Sequence, residues 1–181
     1  MGAAMRGRKT LVAGFAAAAL CAAPAASFAY GPGGGGGGPT APGFGATISS
    51  TIVDAAGGNA AGVFHKCHLK VVVPPTAFAR PVNVVISRVT NVSADKHLAK
   101  GEASVCAFGV GFFREGNEIH VAKGRPSVQL TITGTPVHAT DHLFRLIPGG
   151  ASTHKHATFS AGAVTSTLRT TRALAVVRST S

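Results

Sequence analysis

The densest group of chemically capable side chains in the sequence is His65-Lys66-Cys67-His68. A thiolate and two imidazoles within four residues make up the donor set of zinc and copper sites. The flanking residues alternate apolar and polar, as in a strand, and a strand sends successive side chains to opposite faces. On that parity His65 and Cys67 share one face, while His68 shares the other with Lys66 and Lys70. At most two of the three donors then meet one ion. A blue-copper centre usually also takes an axial Met, and the chain has only Met1 and Met5, both in the first five residues. His154 and His156, two residues apart on a strand, share a face and could chelate Zn²⁺ or Cu²⁺ weakly, with His65 or His68 as further donors. His138 and His142 are also close in sequence. No carboxylate or third donor stands beside His154 and His156, so the expectation is no metal site and no cofactor. His65, His68, His154 and His156 are the candidates for the alternative, a weak Cu/Zn-binding extracellular module.

Catalysis has less to work with. The carboxylates are Asp54, Asp95, Glu102, Glu115, Glu118 and Asp141, and most fall in expected turns or at strand ends. There is no G-x-S-x-G elbow and no H-E-x-x-H pair. Asp141-His142 with some serine is a pattern most chains of this length offer. The expectation is therefore a protein without catalytic residues. A secreted hydrolase is the second alternative, and it requires Asp141 or Glu118 to approach a His or Ser in a pocket.

The elements that must position these residues are strands. Beyond residue 45, eighteen Val and fifteen Thr dominate the sequence, and both are β-branched. Val128, Leu130 and Ile132 alternate with Ser127, Gln129, Thr131 and Thr133. Val82, Val84 and Ile86 alternate with Asn83, Val85 and Ser87. Cys106, Phe108, Val110 and Phe112 alternate with Ala107, Gly109 and Gly111, and Cys67 is placed on a parity with Val63, Leu69, Val71 and Val73. Turn signals separate the runs at Gly57-Gly58-Asn59, Pro74-Pro75, Gly134–Pro136 and Pro148–Gly150. Glu115-Gly116-Asn117 between Phe113 and Ile119 predicts a hairpin. A short helix is expected only around Ser93–Lys100. Short strands separated by turns give an all-β fold, an antiparallel β-sandwich of immunoglobulin-like or Greek-key type over residues 46–181.

The N-terminal segments are of another kind. Arg6, Arg8 and Lys9 precede an apolar Leu11–Leu20, Pro24 interrupts it, and Ser27-Phe28-Ala29 places small residues at −3 and −1. This is the pattern of a secretory signal peptide over 1–29, cleaved after Ala29. Residues 30–45 form a Gly/Pro-rich linker, with nine Gly among the fifteen residues 31–45. Such a segment has almost no side chains to bury. Gly33–Gly38 is not a phosphate loop, because the preceding strand and the following Lys-Ser/Thr are missing. No later stretch has the ~18 apolar residues of a spanning helix, so no transmembrane segment is expected in the mature chain, which is read as secreted or cell-wall associated. Removal of the leader takes Cys21 with it. Two cysteines in an exported chain, both on apolar strand parity, predict a Cys67–Cys106 disulfide.

Export also reframes the charge. The whole chain has 17 Lys+Arg against 6 Asp+Glu, a formal +11, with a mean hydropathy of +0.29. Beyond residue 29 the excess is 14 against 6, a net of +8. The basic residues are scattered, with one acid-free concentration at Arg169, Arg172 and Arg178, and few aromatics accompany them. Nucleic acid is therefore not expected as a partner. An anionic cell-wall polymer or a surface protein fits an exported basic chain better.

One stretch has a family resemblance. The segment AGGNAAGVFHKCHLKVVVPPTAFARPVNVVI resembles the strand–proline–strand pattern of secreted actinobacterial β-sandwich proteins. It is also distantly similar to the β-sandwich domain shared by ankyrins, netrin receptors and tight-junction scaffolds. FGVGFFREGNEIHVAKGRPSVQLTI continues the likeness, which covers about residues 46–178. The chain departs from the pattern at Thr76, where Gly is common after the paired prolines. The resemblance implies an interaction or wall-associated module without a cofactor, and it transfers no catalytic or binding residue. The overall expectation is an exported, non-catalytic β-sandwich protein with a binding or structural role at or outside the cell surface.

Overall fold

A computed structural model describes residues 45–134, 136–147, 150–154 and 156–180. The expected signal peptide and all but the last residue of the linker lie outside the described residues. Twelve strands and one short helix follow in the order β1 (Thr47–Val53), β2 (Gly58–Phe64), β3 (Cys67–Val73), β4 (Val82–Arg88), α1 (Asn91–Asp95), β5 (Glu102–Arg114), β6 (Asn117–Glu118), β7 (Val128–Thr133), β8 (His142–Ile147), β9 (Gly150–Thr153), β10 (Thr158–Ser160), β11 (Ala163–Leu168) and β12 (Arg172–Ser179). All pairings are antiparallel. The strands form two sheets, β1-β4-β5-β12-β8-β9 with β6 beside β5, and β10-β11-β7-β3-β2. They pack as an open sandwich.

The period-two runs explain why the sheets face each other as they do. Val82, Val84 and Ile86 of β4, Phe108, Val110 and Phe112 of β5, and Val128, Leu130 and Ile132 of β7 are all buried in one core with Leu69, Val71 and Val73 of β3. Each fully buried side chain of this size contributes about 1.5–3 kcal/mol relative to exposure. Cys67 and Cys106 are joined as a disulfide inside that core, with Cα atoms 6.4 Å apart. The bond ties β3 of the smaller sheet to β5 of the larger. At Gly62 the smaller sheet comes so close that a Cβ would lie 3.2 Å from methyl carbons of both Ile48 and Ile86.

The larger sheet is also covered on its outer face. Ala107, Ala173, Ala175, Leu146 and Val177 form a second buried cluster with Val89 and Ala94, and Leu98 packs on it. Small residues on β5 and β12 let the 89–98 segment approach closely. Thr90 caps α1 by accepting from the Ser93 N–H at 3.2 Å, as N-cap threonines do. Asp95 then accepts the Ser104 N–H at 2.7 Å and fastens the segment to β5. The helix therefore starts before the expected Ser93–Lys100 and ends by Asp95.

Two turns show what backbone chemistry decides. Glu115 and Gly116 both have positive φ, 51° and 81°, the signature of a type I′ hairpin turn. They join β5 to β6 as the sequence predicts. His65-Lys66 is likewise a two-residue turn, with His65 at φ 52°. Cys67 keeps the expected parity with Leu69, Val71 and Val73, but the turn overturns it for Val63 and His65. Phe64 pairs directly with Cys67, so the inward positions of β2 are Ala60, Gly62 and Phe64, while Val63 is 57% exposed. An uninterrupted strand would have put Val63 and His65 with Cys67, and the turn shifts both off that face.

Thr76, after the paired prolines, has φ 64°. That is the left-handed region in which a β-branched residue is strained. Its N–H donates to the Ala55 carbonyl at 2.9 Å and its carbonyl accepts from Arg125 at 3.1 Å, so the surroundings hold the conformation in place. Thr76→Gly should raise stability by ~1 kcal/mol, measured by urea unfolding. A loss of stability would show that the threonine side chain contributes more than its backbone strain costs.

Candidate functional site

The two outer faces of the sandwich differ. The larger sheet has its second cluster, whereas the outer face of the smaller sheet is lined by hydroxyl, amide and basic side chains. Cross-strand register sets them in rows. Thr158, Thr165, Thr131, Lys70 and Ala61 form one row, and Ser160, Ala163, Thr133, His68 and Val63 form the next. A shorter third row holds Thr167, Gln129, Val72 and Asn59. Strand geometry spaces these side chains by ~4.8 Å across strands and ~6.7 Å along them. Their outward direction follows from the same alternation that buries Leu69, Val71, Leu130, Ile132, Val164 and Leu168. A shallow groove of about 340 Å³ runs over this face, lined by Asn59–Val63, His68–Lys70, Thr131 and Thr133. None of the three rows contains a carboxylate. The sequence displayed the Thr131 and Thr133 alternation, but assembling it with Thr165, Lys70 and His68 depends on strand order, which periodicity does not carry.

The four histidines singled out for metal fall in different places. His65 is in the β2–β3 turn and edge-on to Phe64, with ring centroids 4.0 Å apart. His68 stands on the outer face of β3. His154 follows β9, its N–H donating to the Leu143 carbonyl at 2.7 Å. Its Nε2 lies 3.2 Å from the Thr167 carbonyl of the facing sheet, so it bridges the two sheets at their margin. The His156 ring is 6.4 Å from that of His154 and nearly perpendicular to it. The fold does not bring His154 and His156 together with His65 or His68. No group of three or more His, Cys, Asp or Glu side chains converges for a metal ion among the described residues. Cys67 is held in the disulfide with Cys106.

Of the two carboxylates considered for hydrolysis, Asp141 has structural work. Asp141 is 2% exposed and receives the Arg178 fork, Nε to Oδ1 at 2.8 Å and a terminal N–H to Oδ2 at 2.9 Å. It also accepts the His138 N–H at 2.7 Å. Arg178 donates further to the Pro136 carbonyl at 2.6 Å, and the Asp141 hydrogen bond raises its already high pKa. This is a bidentate, charge-assisted clamp that fixes the β7–β8 connection onto β12. Glu118 approaches His120 at 3.7 Å, with their side chains 45% and 57% exposed. No protein-family model matches the chain, and no curated protein matches it in sequence.

The acid-free concentration Arg169, Arg172 and Arg178 is divided by the fold. Arg169 donates to the carbonyls of Ala122 and Arg125 at 3.0 and 2.8 Å and holds the loop between β6 and β7. Arg178 is neutralised by Asp141. Arg172 lies at the opposite end of β12 from Arg178.

Two measurements follow. Asp141→Ala should cost ~3 kcal/mol of unfolding free energy, at the low end for a broken buried pair because Arg178 keeps partial contact with water. A loss below ~1 kcal/mol in urea melts would count against the clamp. Burial holds the His154 imidazole below its ordinary value, against the raising effect of the Thr167 carbonyl and helped by the charges of His156, Arg172 and Arg145. Its folded pKa is thus lower than its unfolded one, so the unfolded chain takes up the proton first as pH falls. Stability should therefore decline as pH drops through ~6.5. His154→Gln should flatten that part of the stability–pH curve, and an unchanged curve would remove His154 as its source.

Proposed function

We propose that the protein is an exported, non-catalytic binding module that presents the outer face of its five-stranded sheet to an anionic cell-wall polymer. The observation that carries this reading is the contrast between the two outer faces. Apolar residues close one. The other carries ordered rows of threonines with Lys70 and His68 and no carboxylate. Hydroxyl rows can exchange hydrogen bonds with a hydroxyl-rich chain, and the basic residues add attraction for its anionic groups. The three rows contain no aromatic residue or arginine, the anchors enriched in protein–protein hot spots, which favours a polymer over a surface protein. The leader-like residues 1–29, the glycine-rich spacer and the disulfide support placement outside the cell. No helix among the described residues is long and apolar enough to cross a membrane.

An immunoglobulin-like Greek-key assignment belongs to the same proposal. It is supported by an interlocked pair of crossovers, in which β7 leads to β8 and β11 leads to β12, with β7 beside β11 in one sheet and β8 beside β12 in the other. The resemblance to secreted actinobacterial β-sandwich proteins points the same way.

The test is co-sedimentation of the purified protein with cell-wall fractions at low and high salt. Binding should weaken as salt rises. Lys70→Glu combined with Thr158→Glu, two positions three strands apart in the same row, should reduce it at least tenfold without lowering the melting temperature appreciably, because both side chains lie outside the core and are not cross-strand partners. Undiminished binding by the double variant, or protein rather than polymer in the bound fraction, would overturn the assignment.

A further inference from the structure

The alternation of β12 places Arg172 and Arg178 on the inner face of the larger sheet, at opposite ends of the strand, and the two are treated differently. Arg178 has the carboxylate of Asp141. Arg172 donates one guanidinium N–H to the neighbouring Thr171 carbonyl at 2.9 Å, and no carboxylate forms an ion pair with it among the described residues. Arg145 is opposite Leu174 in the β8–β12 register, which makes it a diagonal neighbour of Arg172 on the same face. Its Nε is buried without a hydrogen-bond partner. His154, opposite Leu143 by its backbone bond, continues the row at the sheet margin and reaches the Thr167 carbonyl of the facing sheet. The residue beside Thr167, Ser166, points into the same interlayer from β11. It is 6% exposed, and its hydroxyl too has no partner.

Two guanidiniums sharing a partly desolvated margin without a carboxylate repel each other, and the buried Nε of Arg145 is left unsatisfied. Burial, and then Arg145, lower the pKa of Arg172, with Glu118 alone acting in the opposite sense. A single ligand chemistry removes both penalties. The guanidinium fork matches the oxygen spacing of phosphate and sulfate and binds them bidentately, and the Ser166 hydroxyl can supply a further donor. Two fixed positive charges suit a doubly charged ion better than a carboxylate.

We propose that Arg145, Arg172 and Ser166 form an oxyanion-binding site between the sheets at the β8–β9 margin, beside His154, taking inorganic phosphate or sulfate or the phosphoryl or sulfuryl group of a larger molecule. The site is separate from the outer face invoked above and does not depend on that reading.

The experiment is thermal unfolding of the full protein in 10 mM phosphate against chloride of equal ionic strength, concentrations at which general salt effects cancel. Wild type should melt about 4 °C higher in phosphate, the shift expected for a millimolar ligand in a domain of this size. Arg145→Leu should lose that shift and, freed of the unpaired charge, melt higher than wild type in chloride. Arg172→Gln provides the same loss of response if Arg145→Leu does not fold, and Lys100→Glu, an exposed position outside both faces, should retain the full shift. A shift with inorganic phosphate shows that the free ion suffices. A shift with glycerol phosphate alone assigns the site to an esterified phosphoryl group. No shift with either, equal shifts in wild type and both arginine variants, or an equal response to acetate would overturn the proposal.

Discussion

Each sheet of this molecule has one face that must be buried against the other, and the Cys67–Cys106 bond is the point at which that burial becomes covalent. The larger sheet is wide, and its central strands β5 and β12 are paired on both sides. Most of its inter-strand contacts are non-local, so each closes a long loop of chain before it contributes. A cross-link between β3 and β5 removes part of that entropy from the unfolded chain, an effect on the order of 4 kcal/mol in the loop-entropy model. Everything outside the interlayer then depends on what else a sheet is asked to cover. The alanines at 107, 173 and 175 commit the outer face of the larger sheet to the 89–98 segment. On the smaller sheet, the residues opposite Leu69, Val71, Leu130 and Ile132 have no packing role, and composition there is free to serve another purpose.

Strand identity was legible wherever side chains alternated over five or more residues, as in β4, β5 and β7, because period two is a local consequence of the pleat. The disulfide followed from the same parity. Glu115-Gly116 was legible because glycine supplies positive φ without steric cost. His65-Lys66 makes a comparable turn without any glycine, and so the β2–β3 hairpin reads in the sequence as one long strand. The error moved Val63 from the core to the surface, since a hairpin with a two-residue loop pairs Phe64, not Val63, on the side of Cys67.

What stayed hidden was everything set by strand order. Asp141 and Arg178 are 37 residues apart, and no local pattern announces their clamp. The threonine rows need β11, β7 and β3 to be neighbours, although β8, β9 and β10 intervene in sequence between β7 and β11. The Arg145–Arg172 pair likewise exists only because β8 lies beside β12. A histidine pair at i and i+2 was visible as a possible chelate. The role the fold gives His154, a bridge from one sheet to a backbone carbonyl of the other, required the sandwich.

The acid-poor composition has a structural consequence that bears on how such a protein could attract a partner. With 6 Asp+Glu against 17 Lys+Arg in the whole chain, most basic side chains cannot be paired, and several arginines are satisfied by backbone carbonyls instead. Arg114 donates to Pro81 and Arg80, Arg125 to Thr76, and Arg169 to Ala122 and Arg125. Arg88 lies over the Phe64 ring, 4.7 Å from its centroid. A carbonyl dipole satisfies a guanidinium N–H without cancelling its charge, so these residues brace loops and still contribute to the positive field around the molecule. The net charge therefore does not need a basic patch of its own to act at a distance. On the proposed reading it would draw an anionic chain toward the surface, and the uncharged threonine rows with Lys70 would determine where that chain settles.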